Sequence, residues 1–339
     1  MRKRPRADMA IVRRVGQYAL VLWAAVTLNF ALPYLAPGDP VTYLYGGDQQ
    51  ALDPKFIADL RDSYGLDRSV LEQYFSFWSG LLHGDLGMSV QHNRPVLDVL
   101  WEKLPWTIAL VGIGTLLAFI IGTLLGTWAA WRRGTSKETG SLLGVLTVDS
   151  MPGFWIGMVL IAVFSVNLGW FPSYGAAPIT ATGGEWLLEV ASRMVLPVAT
   201  LTFAGIGGFF LMTRASMVGV LDEPFIRLAR AKGLSEYRVA VGHALRNALL
   251  PVFTTLTLTI GVMLSGAVVV ESVFAYPGLG KLTFDAVTAR DYPLLQGAFL
   301  LATVGIIAAN LLADLTYPLL DPRVRRDRTA TASRREMAG

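Results

Sequence analysis

Apolar residues arrive along this chain in blocks near or above the roughly 18 to 20 that cross a bilayer as a helix. The blocks run Val15 to Leu35, Pro105 to Trp131, Leu142 to Val166, Met194 to Thr213, Leu250 to Val270 and Leu294 to Tyr317. This pattern predicts an all-α integral membrane protein with six transmembrane helices. Asp149 and Asp314 fall inside their blocks. A lipid-facing carboxylate there would cost about 2.5 to 3.5 kcal/mol on insertion scales, so both are expected to face protein or water.

The polar intervals divide the chain into a tail (1–14), a first span (15–35), a long loop (36–104), a core of five further spans (105–318) and a second tail (319–339). A loop of about seventy residues is too long for a simple connector and should be folded. Asp53 before Pro54 reads as a helix start, with Phe56, Ile57 and Leu60 on one side. Ser69 and Glu72 have capping-box spacing ahead of Tyr74, Phe75, Trp78, Leu81 and Leu82, and "HGDLGMS" (His83 to Ser89) reads as the turn after that helix. Two accounts stay open for these short helices: they lie on the membrane surface or cap the bundle, or they form a platform for a partner outside the membrane.

Segment 214–249, between the fourth and fifth spans, has a different texture. Asp222, Glu223 and Pro224 signal a helix start, and Phe225, Leu228, Ala229 and Lys232 recur at three and four residues, giving one narrow semi-apolar face. Gly233 ends or bends that helix, and Ser235 caps a second one running through Val239, Ala240, His243, Ala244 and Leu245 toward Pro251. The expected unit is a helix, a glycine break and a second helix parallel to the membrane, a handle. Small Ala229, Ala231 and Gly233 would admit another protein's backbone, with basic residues around that contact. The competing account is an amphipathic helix held by anionic lipid.

Charge sets the orientation. The first tail, the second loop (Arg132, Arg133, Lys137), the handle segment (Arg214, Arg227, Arg230, Lys232, Arg238, Arg246) and the last tail hold all but eight of the 29 Lys and Arg residues. The excess predicts that these four segments and both termini are cytoplasmic. The net charge of +4 is accounted for by that topology, and no nucleic-acid partner is expected. The absence of cysteine excludes disulfides, thiolate metal sites and thiol chemistry. Arg13 and Arg14 precede an apolar run as in a secretory signal, but without a small-x-small cleavage site the reading is a retained first helix.

Little points to an enzyme. The three histidines, His83, His92 and His243, form no HExxH motif, and no Ser–His pair is evident within the spans. "GLGKLT" (Gly278 to Thr283) lacks the first glycine of a phosphate loop and the hydroxyl directly after its lysine. No cofactor or metal is expected. Asp149, Glu271 and Asp314 are candidates to line a pathway, with packing or loop-binding roles as the alternative. Tyr276, Pro277, Gly278 and Gly280 form a tight external turn, either a re-entry turn or a substrate contact. Met151, Pro152 and Gly153 should loosen the helix after Asp149, and Gly122 with Gly126, like Gly153 with Gly157, has the spacing of close helix contacts.

"ARAKGLSEYRVAVGHALRNALLP" resembles the EAA loop of binding-protein-dependent ABC importer permeases, in the version found in dipeptide and oligopeptide permeases. In that pattern Gly233 takes the glycine position and Ala229 the second alanine, while Arg227 and Leu228 stand where the general pattern has Glu and Ala. "LAPGDP", "YGLDRSVLEQYFSFWSGLLHGDLGMSV", "LPWTIALV", "VVVESVFAYPGLG", "DAVTARDYPLLQG" and "LTYPLLDPRVR" are similar, in this order, to the B-type subunit of such permeases. The resemblance implies a type I importer permease fold and alternating access. It implies a homologous C-type permease, two cytoplasmic ABC ATPase subunits that bind ATP and Mg, an external binding protein and a peptide substrate. The handle then becomes the ATPase-coupling element: Phe225, Arg227, Leu228, Ala229, Arg230, Ala231, Lys232, Gly233, Leu234 and Ser235. Gly233→Asp or Ala229→Arg is expected to abolish uptake by placing bulk and charge in its docking face. Nickel or glutathione permeases share the layout. From other classes, a secondary carrier would need internal repeats and midplane coupling carboxylates, and an intramembrane enzyme would need a catalytic pair within the spans.

Overall fold

The computed structural model describes residues 5–35, 55, 68–177, 182–262 and 267–320, with side chains placed for all of these except 5–15, 32–35, 261–262, 309 and 312–320. In chain order come α1 (Pro5–Leu35), α2 (Val70–Leu82), a hairpin of β1 (Met88–Ser89) and β2 (Arg94–Pro95), α3 (Val96–Trp131), α4 (Ser136–Asp149), α5 (Gly153–Leu160) with a π-helical continuation Ile161–Asn167, and α6 (Gly183–Leu221). The chain continues through α7 (Pro224–Ala231), π-helical turns Arg238–Leu245 that lead into α8 (Arg246–Val262), α9 (Val268–Val273), α10 (Leu279–Ala289) and α11 (Tyr292–Leu320). Among the described residues the only sheet is that hairpin, pairing Met88 with Pro95 and Ser89 with Arg94.

Two rods organise the fold. α3 and α6, of 36 and 39 residues, are each long and apolar enough to span a membrane, and α4 with α5 and its continuation is together long and apolar enough but bent by 92°, as a broken span or a re-entrant loop is. Shorter apolar stretches occupy Gly16–Ala31 of α1 and Tyr292–Ala308 of α11. The multi-span helical expectation therefore holds at this coarser level. α3 packs along α6, where an added Cβ at Gly126 would lie 2.6 Å from the Phe210 carbonyl oxygen and one at Gly122 2.9 Å from that of Ile206. The glycine spacing in α3 thus marks a backbone-to-backbone approach.

Several boundaries differ from the sequence reading. α3 begins at Val96, nine residues before Pro105, because Val96, Val99, Leu100 and Leu104 are buried against Leu279, Leu282, Ala286 and Leu294. Those turns belong to the core and not to a loop, and Pro105 is accommodated inside the helix. α6 starts at Gly183 rather than Met194, and α1 at Pro5 rather than Val15. The third block breaks at Ser150 to Pro152, the place its Met-Pro-Gly sequence pointed to. α2 carries the capping box: Glu72 N–H donates to Ser69 Oγ at 3.3 Å and Ser69 N–H to the Glu72 carboxylate at 2.9 Å. Those Ser69 donors hold the Glu72 carboxyl below its usual range. α2 packs on α1 through Phe30, Tyr74 and Phe77. The helix expected after Asp53 lies outside the described residues.

Candidate functional site

The handle is built from the inside out. Pro224 occupies the first position of α7, where its missing N–H costs nothing. Ile226 is fully buried and Ala229 only 5% exposed, set against Ala130, Met217, Val239, Ala244 and Ala248 with Phe225 and Leu234 at the margin. Gly233 has φ +73°; its N–H donates to the Arg230 carbonyl (2.9 Å) and Leu234 N–H to that of Ala229 (3.4 Å), a Schellman ending. Arg230 lies 5.5 Å over the Trp131 ring and pairs with Glu236 at 3.3 Å, while Arg133 bridges to Asp222 at 3.0 Å. α7 is thereby fixed to the ends of α3 and α6.

The semi-apolar stripe of Phe225, Leu228, Ala229 and Lys232 is divided between the two sides of α7. Leu228 is 56% exposed, and Arg227, Ala231, Lys232 and Ser235 are exposed with it, whereas Ile226, absent from the expected face, is the anchor. Beyond Gly233, Tyr237 at 76% and Val241 at 41% are also exposed. Leu228, Tyr237 and Val241 are thus the large apolar side chains that the handle segment exposes, and Arg227, Lys232 and Arg238 are exposed as well. Ala229 faces inward; its small size lets α7 sit close to its own chain, and it is not part of the outer surface. Beneath the handle, Glu138 of α4 accepts from the Arg214 guanidinium of α6 and from Gly134 N–H (2.6 Å), joining the second loop to the rod that carries the handle.

At the opposite end, Glu271 is fully buried. Its carboxylate accepts from the Thr107 hydroxyl (2.9 Å), Lys281 N–H (2.9 Å) and Ala267 N–H (3.3 Å), and Leu279 N–H donates to Thr107 Oγ1 (2.7 Å). The acid therefore caps the start of α10 and fixes the turn before it to α3. A Cβ on Gly278 would overlap this carboxyl, and one on Gly280 would lie 2.6 Å from Val268 N. Tyr276 is fully buried, edge-on to Trp106 at 6.0 Å, and Pro277 is half-buried beside it. These contacts support a re-entry turn and loop-binding by Glu271. They also place a protein carboxylate where the "GLGKLT" stretch would have to hold phosphate.

Asp291 carries a second tie that the sequence did not single out. Its carboxylate accepts from the Ser89 hydroxyl (2.6 Å), Gln91 N–H (3.0 Å) and Leu294 N–H (3.1 Å), so one side chain caps α11 and holds the hairpin. Asn29 and Gln296 exchange side-chain-to-carbonyl hydrogen bonds of 2.6 and 3.2 Å, joining the end of α1 to the start of α11. An Asp directly before an apolar helix was the available signal for the first; nothing in sequence marks the second. Asp149 is exposed at the α4–α5 break. Asp314 lies in α11, but its side chain is outside the described residues. Among the described residues no cluster of His, Cys, Asp or Glu could hold a metal ion.

Residues 122–326 match the family described as binding-protein-dependent transport system inner membrane component, and residues 9–111 match its N-terminal domain. The dipeptide transport system permease protein DppB of Escherichia coli K12 is 37% identical over 334 residues, covering 93% of this chain and 98% of that protein. The di/tripeptide transport system permease protein DppB of Pseudomonas aeruginosa is 36% identical over 334 residues, covering 94% and 99%. Among solved structures, a chain of the MetNI methionine ABC transporter superposes with a TM-score of 0.51 at 17% identity, over 66% of this chain and 97% of its own. That likeness concerns the fold alone.

Proposed function

This chain belongs to the family of inner membrane components of binding-protein-dependent transport systems, and from that premise we propose that it is the peptide-importing permease subunit of an ATP-driven transporter in a bacterial cytoplasmic membrane. It forms half of the pathway for di- or oligopeptides beside a homologous C-type permease, and an external binding protein delivers the substrate. The peptide assignment rests on relatives named for dipeptides and di/tripeptides over almost their whole lengths, which favour it over nickel, glutathione or a secondary carrier. ATP and Mg belong to two partner ATPase subunits, and this chain is non-catalytic.

The observation that carries the coupling role is the two-sidedness of the handle. Ile226 and Ala229 fix it to the rods, while Leu228, Tyr237 and Val241 stand outward among Arg227, Lys232 and Arg238. Exposed apolar side chains in a basic segment suit a groove on an ATPase. A push on that face reaches α3, α6 and α8 directly, because the handle is packed on their ends. The basic segments support placing the handle and both termini in the cytoplasm. The meeting of Asn29 with Gln296 at the opposite end supports α1 starting and α11 finishing on the handle side.

Complexes reconstituted in proteoliposomes with the partner subunits and loaded binding protein are expected to accumulate labelled di- and tripeptides only when ATP is supplied on the handle side. Accumulation without ATP, driven by an ion gradient, would contradict the assignment.

A further inference from the structure

Asp149 stands apart from the other acids near the spans. Glu271, Asp291 and Glu138 are buried and held by donors of this chain. The Asp149 carboxylate is exposed, and among the described residues it accepts no hydrogen bond and meets no cation. Its position is nevertheless defined, because it lies against Gly207 of α6, where any Cβ would overlap it.

Its depth follows from helix geometry. The Glu138–Arg214 pair clamps α4 to α6 at the end bearing Arg132, Arg133 and Lys137. Asp149 lies eleven residues beyond Glu138, about 16 Å at 1.5 Å per residue, and Gly207 seven residues before Arg214, about 10 Å. Both distances set the carboxylate about two to three helical turns in from that basic end of the rods. Lipid is excluded there by the cost of a charge and by the 92° break, whose backbone groups need protein or water beside them. Nearby on α6, Ala204 and Gly208 are exposed, and a Cβ added at Gly208 would meet nothing within 4 Å.

We infer that Asp149, set in the Gly207 notch between the bent α4–α5 pair and α6, receives the α-ammonium group of the peptide during translocation. This rests on the peptide-import reading and deepens it: the permease itself then discriminates for a free amino terminus, in addition to whatever the binding protein selects.

The test compares ATP-driven uptake of a dipeptide and its des-amino analogue, each delivered by saturating loaded binding protein, in wild-type and Asp149→Asn complexes. The same loaded protein serves both transporters, so its own preference cancels in the ratio of ratios. A charge-assisted contact predicts that the wild-type preference for the free amine exceeds that of Asp149→Asn by about tenfold, and that Gly207→Ala, which displaces the carboxylate, erodes it similarly. An unchanged ratio overturns the inference, whether Asn slows both substrates equally, as for a packing role or an ion pair with the partner permease, or slows neither. If Asp149→Asn does not assemble, Asp149→Ser is read in the same way. If wild type takes up neither substrate, the peptide-import reading itself fails.

Discussion

Glu271 and Gly233 are short-range devices with different physics. The Glu271 carboxylate gathers two backbone N–H groups and the Thr107 hydroxyl in a fully buried place. Truncation to Ala leaves those donors unpaired, and Glu271→Ala is expected to destabilise the protein by about 1 to 3 kcal/mol. This should appear as a lowered unfolding midpoint of the complex in lipid nanodiscs; altered peptide selectivity with unchanged stability would instead indicate a pathway role. A Cβ added at Gly233 would meet nothing within 4 Å, so the cost of replacing this glycine is conformational. Gly233→Val should loosen the end of α7 by roughly 1 to 2 kcal/mol, read as faster hydrogen exchange of its amides, whereas Gly233→Asn or Gly233→Asp should cost less because these side chains tolerate the left-handed region. Loss of uptake in Gly233→Asp with normal α7 exchange would then report on the docking surface alone.

For elements, the two faces of α7 separate folding from coupling. Leu228→Glu alters the exposed face and should leave the chain assembled while lowering peptide-stimulated ATP hydrolysis more than tenfold, as loss of a central contact does. Ala229→Arg, by contrast, forces a long cation against Met217 and Val239 and should unseat the helix, read as lost thermal stability. The sequence made the start of α7 at Pro224, its end at Gly233, the Ser69–Glu72 cap and the break after Asp149 legible, because each depends on residues a few positions apart. It did not reveal which side of α7 is inward. Leu228 and Ile226 are equally apolar, and a surface made for a partner has the composition of a core. The early start of α3 was hidden for a related reason: Val96 to Leu104 lie among charged residues, and only α10 and α11, distant in sequence, make that turn part of the core. Asp291 and Asn29 are likewise tied to residues some two hundred or more positions away.

Across the whole molecule, two fastened ends are joined by long rods. At one end the handle, the Arg133–Asp222 bridge and the Glu138–Arg214 pair unite α3, α4, α6 and α8; at the other, Glu271 and Asp291 unite α3, α10, α11 and the hairpin. The broken α4–α5 span and the Gly207 notch lie between them. On the coupling proposed above, a displacement imposed on the handle would travel along α3 and α6, which pack against each other. Glu138→Ala would leave the Arg214 guanidinium without its carboxylate, and the transporter should then hydrolyse ATP with less peptide moved per ATP, measured as the ratio of the two rates. The central claim is that ATP-driven peptide import is coupled through the outward face of the handle. Its most direct test is ATP hydrolysis by the purified, assembled complex with and without peptide-loaded binding protein, in wild type and Leu228→Glu. The account predicts stimulation by loaded binding protein that is lost in Leu228→Glu while the subunits remain assembled; equal stimulation in both would contradict it.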